Sequence, residues 1–235
     1  GRTAVLIHGY KDSHAGMLPI AKVYADMGYN ILLPDLHAHG LSEGSDIQMG
    51  WKDREDVMRW IGLADSLFAA NEGRPRIVVH GVSMGAATTM NVSGENLPAS
   101  VRCFVEDCGY TSVWDEFRCQ LADQFGLPPF PVLYAASALC KLRYGWSFGE
   151  ASPVAQLGRK DTPMLFIHGS SDTYVPSPMV FPLYNANPIH MAEDGVSHRF
   201  NGIWIAPGCA HASSFHDYPH EYAERVRAFV GEFID

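Results

Sequence analysis

The chain has 235 residues, of which 47% are hydrophobic and 18% charged, with a formal net charge of -9. That apolar content excludes a disordered chain, and the length gives one large domain or two small ones. The acidic balance argues against a nucleic-acid partner, and no apolar run reaches the 18 or so residues needed to span a bilayer.

Gly1-Arg2-Thr3 runs at once into an apolar stretch, which points to upstream sequence that has been removed, so the compartment is left unassigned. Five cysteines, with no C-x-x-C pair, read as buried free thiols rather than a disulfide framework.

Six apolar runs are predicted as strands: 3–8, 30–33, 76–80, 101–107, 163–168 and 202–206. Ala4-Val5-Leu6-Ile7 and Ile77-Val78-Val79 are continuous rather than alternating, as in parallel strands covered on both faces. Helical spacing is predicted over 17–27, 51–70, 84–91 and 219–234, the last with a stripe of Tyr222, Val226, Phe229, Val230 and Phe233. Strands alternating with helices make a doubly wound α/β sheet.

Two stretches break the alternation. Residues 111–150 carry helix-like sequence around Pro128, Pro129 and Pro131 with no strand, and read as a helical cap inserted in a single domain spanning 1–235. Residues 185–201 are polar, contain Pro188 and Gly195, and read as a surface loop.

The chemistry centres on Gly81-Val82-Ser83-Met84-Gly85, between the strand ending at His80 and the helix opening at Met84. A strand that reverses into a helix within so few residues leaves the serine hydroxyl exposed at a sharp turn. Side chains two positions before and after it would collide, hence the two glycines. Ser83 is the candidate nucleophile.

A serine nucleophile needs a base, and the base an orienting acid. Asp172 follows the strand at 163–168, and His211 follows the strand at 202–206. Both fall where catalytic groups of open α/β sheets collect, beyond the carboxyl ends of strands. Asp107 is the rival acid. His190, His198, His216 and His220 are weaker bases, lacking a strand immediately before them or lying near the last helix. The backbone N–H groups of Met84 and Tyr10 are the expected oxyanion donors, with Gly9 allowing the turn and His8 bracing the loop. His37 and His39 could share a metal, but no further ligand cluster follows them, so no metal and no organic cofactor is expected.

With these residues in place, the chain resembles the α/β-hydrolase superfamily over essentially its whole length. The likeness rests on His8-Gly9-Tyr10, the loop from Asp35 to Gly44, the elbow at 81–85, and the segments 168–176 and 207–211. Segments 50–56 and 106–112 are similar to a group of bacterial serine hydrolases labelled esterases or peptidase-like. Such proteins often carry Arg where His37 stands, and their sheet usually begins two strands earlier. The resemblance implies a Ser83–His211–Asp172 triad acting on a small-molecule acyl substrate, most simply a carboxylic ester with a small to medium acyl or aromatic group. An amidase or peptidase on the same triad, and a non-catalytic binding protein, are the alternatives. The inner face of the cap is expected to line an apolar acyl pocket.

Overall fold

The computed structural model describes residues 1–187, 190–191, 197–198 and 201–234. Its main sheet has six strands: β1 (Arg2–Ile7), β2 (Asn30–Leu32), β3 (Arg76–Val82), β4 (Val101–Asp107), β5 (Met164–Gly169) and, after a short hairpin, β8 (Gly202–Ala206). All pair in parallel in the order β2-β1-β3-β4-β5-β8. Each of the six predicted strands is present, with ends within two residues of the reading.

Both faces of the sheet are covered, which accounts for the unbroken apolar runs. Ala4 and Leu6 point to one face, where α1 (Leu18–Asp26) packs through Ile20 and Tyr24 and the C-terminal helix through Tyr222, Val226 and Val230. Val5 and Ile7 point to the other, against α2 (Asp53–Glu72) and α3 (Met84–Ser93). Each fully buried Val, Leu or Ile contributes roughly 1.5–3 kcal/mol relative to exposure. Every residue of α3 is buried, and its small Gly85, Ala86 and Ala87 let it lie close on the strands.

Between β4 and β5 stand α4 (Val113–Phe125), α5 (Val132–Tyr144) and α6 (Pro153–Leu157). The Ser112 hydroxyl caps α4 by accepting from the Asp115 N–H at 3.0 Å, and Gly126 ends it in the left-handed region. A separate apolar cluster, including Val113, Leu133, Trp146 and Phe148, joins α4 and α5 to Ala87 of α3 and to Val175.

After β5 come α7 (Val180–Ala186), β6 (His190–Met191) and β7 (Ser197–His198). β6 and β7 form an antiparallel pair within the stretch read as an irregular loop. The rest of that stretch from residue 188 onward, apart from Asn201, lies outside the described residues. The chain closes with α8 (Ser214–Asp217) and α9 (Pro219–Ile234). No described helix is long and apolar enough to cross a membrane. All five cysteines are free thiols.

The order of strands reverses at β1: β2 lies on one side of it and β3 on the other. The crevice beyond the carboxyl ends of β1 and β3 is therefore the topological switch point, where α/β folds bind ligands.

Candidate active site

Ser83 occupies that crevice. It caps α3 with φ +57° and ψ -119°, a backbone conformation that a side-chain-bearing residue holds at a cost of about 1–3 kcal/mol. The glycines around it follow from contact distances. A Cβ on Gly81 would stand 2.1 Å from the Gly85 carbonyl oxygen, and a Cβ on Gly85 2.1 Å from that of Ile7. Gly9, after β1, comes so close that a Cβ there would lie 3.4 Å from the Ser83 Cβ. Tyr10 and Met84, whose amides are the expected oxyanion donors, line the same cleft as Ser83.

The loops after β5 and β8 are tied together. The Ser171 N–H donates to the Cys209 carbonyl at 2.9 Å, and the Gly208 N–H to the Ser170 hydroxyl at 2.7 Å. Gly169 permits this approach, since a Cβ there would meet the Cys209 carbonyl oxygen at 2.3 Å. The pairing brings Asp172 and His211 together. His211 Nδ1 donates to Asp172 Oδ2 at 2.8 Å, which leaves Nε2 to accept from Ser83 Oγ, also at 2.8 Å. Tyr174 packs its ring 5.0 Å from that of His211.

Asp172 is buried and accepts the N–H groups of Tyr174 and Val175 on Oδ1, each at 3.0 Å. Burial pushes its pKa up, but hydrogen bonds from His168 and His211 outweigh this and hold it below the ordinary value. The rival Asp107 accepts from Tyr222, and burial raises its pKa to about 6. Its backbone carbonyl, not its carboxylate, meets the elbow, accepting the Ser83 N–H at 2.8 Å.

Several neighbours escape a reading of the sequence. His80 is wholly buried and bridges Tyr24 and Tyr222, accepting from one hydroxyl at 3.0 Å and donating to the other at 2.9 Å. Burial lowers its pKa to about 3, so it stays neutral. Glu116 of α4 lines the cleft, and burial raises its pKa to about 7. His8, by contrast, braces its loop as expected. Its Nδ1 donates to the Gly9 carbonyl at 2.8 Å, and its Nε2 accepts from the Leu36 N–H at 3.0 Å.

The cleft beside Ser83 encloses about 380 Å³. Its walls include Met49, Tyr110, Phe117 and Val175, but also Glu116, Gln120 and Gln124. The expectation of an apolar inner face therefore holds only in part, because one face of α4 is polar at helical spacing. His37 Nε2 lies 3.9 Å from Asp46 Oδ1, but His37 and His39 do not converge with a third candidate ligand among the described residues. The candidate ligands that do converge among the described residues are Cys108, Asp172 and His211, beside Ser83, with ligand atoms within 4.8 Å of one another. Two of these already bond each other, and burial pushes the Cys108 thiol well up, keeping it protonated.

A family model described as the alpha/beta hydrolase family matches residues 4–225. The chain belongs to that family. Among curated proteins it is 27% identical to the uncharacterized protein YqkD of Bacillus subtilis (strain 168) over 233 residues, covering 99% of this chain and 72% of YqkD. Among solved structures it is similar to the Pyrococcus furiosus esterase Pf2001, with a TM-score of 0.74 at 23% identity over 100% of this chain and 83% of that one. TT1662 from Thermus thermophilus follows the same fold, with a TM-score of 0.66 at 19% identity over 100% of this chain and 90% of that one.

Proposed function

We propose that this alpha/beta hydrolase is a serine esterase that cleaves carboxylic esters with small to medium acyl or aromatic groups through an acyl-enzyme. The observation that carries the reading is the unbroken run of hydrogen bonds from Ser83 Oγ through His211 to Asp172, both at 2.8 Å, opening on the cleft. Family membership and the esterase Pf2001 among the structural neighbours support it.

In this reading His211 Nε2 takes the Ser83 proton as Oγ attacks the substrate carbonyl carbon. Asp172 holds the tautomer with hydrogen on Nδ1 and stabilises the imidazolium. The amide N–H groups of Met84 and Tyr10 donate to the oxyanion, helped by the N-terminus of α3. Collapse of the tetrahedral intermediate expels the alcohol, which takes its proton from His211. Water, deprotonated by His211, then releases the acid from Ser83. Segment 111–150 acts as the cap that roofs this cleft.

The test is hydrolysis of p-nitrophenyl esters of graded chain length beside aminoacyl p-nitroanilides. Turnover of the esters that Ser83→Ala abolishes is the expected result. Turnover of the anilides alone would move the assignment to an amidase, and no turnover of either would contradict it.

A further inference from the structure

The cleft holds an acid that the triad does not use. Glu116 lines the same cavity as Ser83, yet is only 3% exposed. Gln120 Nε2 donates to its Oε1 at 3.0 Å, while Oε2 is buried with no hydrogen-bond partner among the described residues. Gln120 is itself fixed: its Nε2 also reaches the Tyr174 carbonyl at 2.6 Å, and its Oε1 accepts from Gln124 Nε2 at 2.6 Å. Positions 116, 120 and 124 follow helical i, i+4 spacing, so a single face of α4 turns this row to the cleft.

An unpartnered carboxyl oxygen is costly to bury, and an apolar side chain would dock α4 without that cost. Nothing in the proposed ester chemistry calls on it. A ligand donor would satisfy it. Lys11 lines the same cavity and disfavours a cationic donor, which selects a neutral one. An adjoining cavity of about 440 Å³ shares Tyr10, Met49 and Phe117 with the first and is otherwise lined in part by Leu139, Trp146 and Phe148. The apolar part of a substrate has its own place there.

Resting on the esterase reading, we propose that Glu116 is a specificity-determining residue whose carboxyl accepts a hydrogen bond from a hydroxyl or amide N–H carried by the substrate. The substrate class is then an ester with a neutral hydrogen-bond donor near the scissile bond, rather than a plain alkyl ester.

Matched ester pairs test this. One pair is p-nitrophenyl butyrate and p-nitrophenyl 3-hydroxybutyrate, which varies the acyl side. The other is propyl butyrate and 2,3-dihydroxypropyl butyrate, which varies the alcohol side. The wild type should prefer the hydroxylated member of at least one pair by about tenfold in kcat/KM. Glu116→Leu should bring that ratio close to unity, and Glu116→Gln, which keeps an acceptor oxygen, should retain part of it. Ratios do not depend on the amount of folded enzyme, so Glu116→Gln carries the assignment if Glu116→Leu fails to fold, and a wild type without preference overturns the inference by itself. Turnover of all four esters without preference, or the same preference in Glu116→Leu, would overturn the inference and leave the esterase reading standing. No turnover of any of the four would overturn both.

Discussion

His168 Nε2 lies 3.4 Å from Asp172 Oδ2, and both side chains are wholly enclosed. The same carboxylate oxygen receives His211 Nδ1, so Asp172 stands between two imidazoles. Burial pulls the His168 pKa down, but the Asp172 hydrogen bond, the Glu106 carboxyl and the Val175 carbonyl outweigh it and raise it. His168 Nε2 also donates to that carbonyl at 2.9 Å, which pins the turn carrying Asp172. His168→Leu should therefore lower kcat on an ester by about 10², the scale of a small misplacement, with little change in KM. His168→Gln, which can donate from the same region, should recover most of it. Equal kcat in His168→Leu and the wild type would contradict this arrangement.

Asp172→Asn should lower kcat by about 10⁴, because an amide cannot hold the required tautomer of His211. Asp107→Asn should cost far less, since that carboxylate accepts from Tyr222 rather than from His211. Steady-state kinetics of the two variants decide the order, and the reverse ranking would move the orienting role to Asp107.

The elbow glycines carry a stability prediction. A Cβ at position 81 or 85 would press within 2.1 Å of a backbone oxygen that no side-chain rotation can relieve. Gly81→Ala and Gly85→Ala should each lose about 3 kcal/mol or more in denaturant unfolding. Gly149→Ala, where a Cβ would meet nothing within 4 Å, should lose little. A wild-type midpoint in Gly85→Ala would refute the packing described for α3.

Six strands and three candidate site residues, which the structure brings into hydrogen-bond contact, were legible in the chain because each leaves a local mark. Continuous runs such as Ala4–Ile7 record burial on two faces, and the glycine spacing around Ser83 records a collision. Asp172 and His211 each stand just past the end of an apolar run. His168 and Glu116 leave no such mark. One is the last apolar-run residue before an ordinary turn, and the other a charge in the first turn of an ordinary helix. Their meaning comes from tertiary docking: β5 against β4, and α4 beside Ser83 in one cleft. The β6–β7 pairing is two residues long and has no period to read.

Glu106 links stability to pH. It is fully buried, one of its oxygens has no partner among the described residues, and burial raises its pKa to about 8 from an ordinary 4.5. A carboxyl with a raised folded pKa binds its proton more tightly when folded, so the wild type loses stability from this group as pH rises from 4.5 through about 8. Glu106→Gln does not titrate. Its Tm relative to wild type should climb across that window by at least about 3 °C. Thermal melts from pH 5 to pH 9 measure it, and a constant difference would contradict the shift.

The central claim is that Ser83 is the nucleophile, and covalent labelling tests it most directly. A fluorophosphonate probe should add one phosphonyl group to the wild type, located by peptide mass mapping on Ser83, and nothing to Ser83→Ala. Equal labelling of the two proteins, or an adduct mapped to another residue, would contradict it.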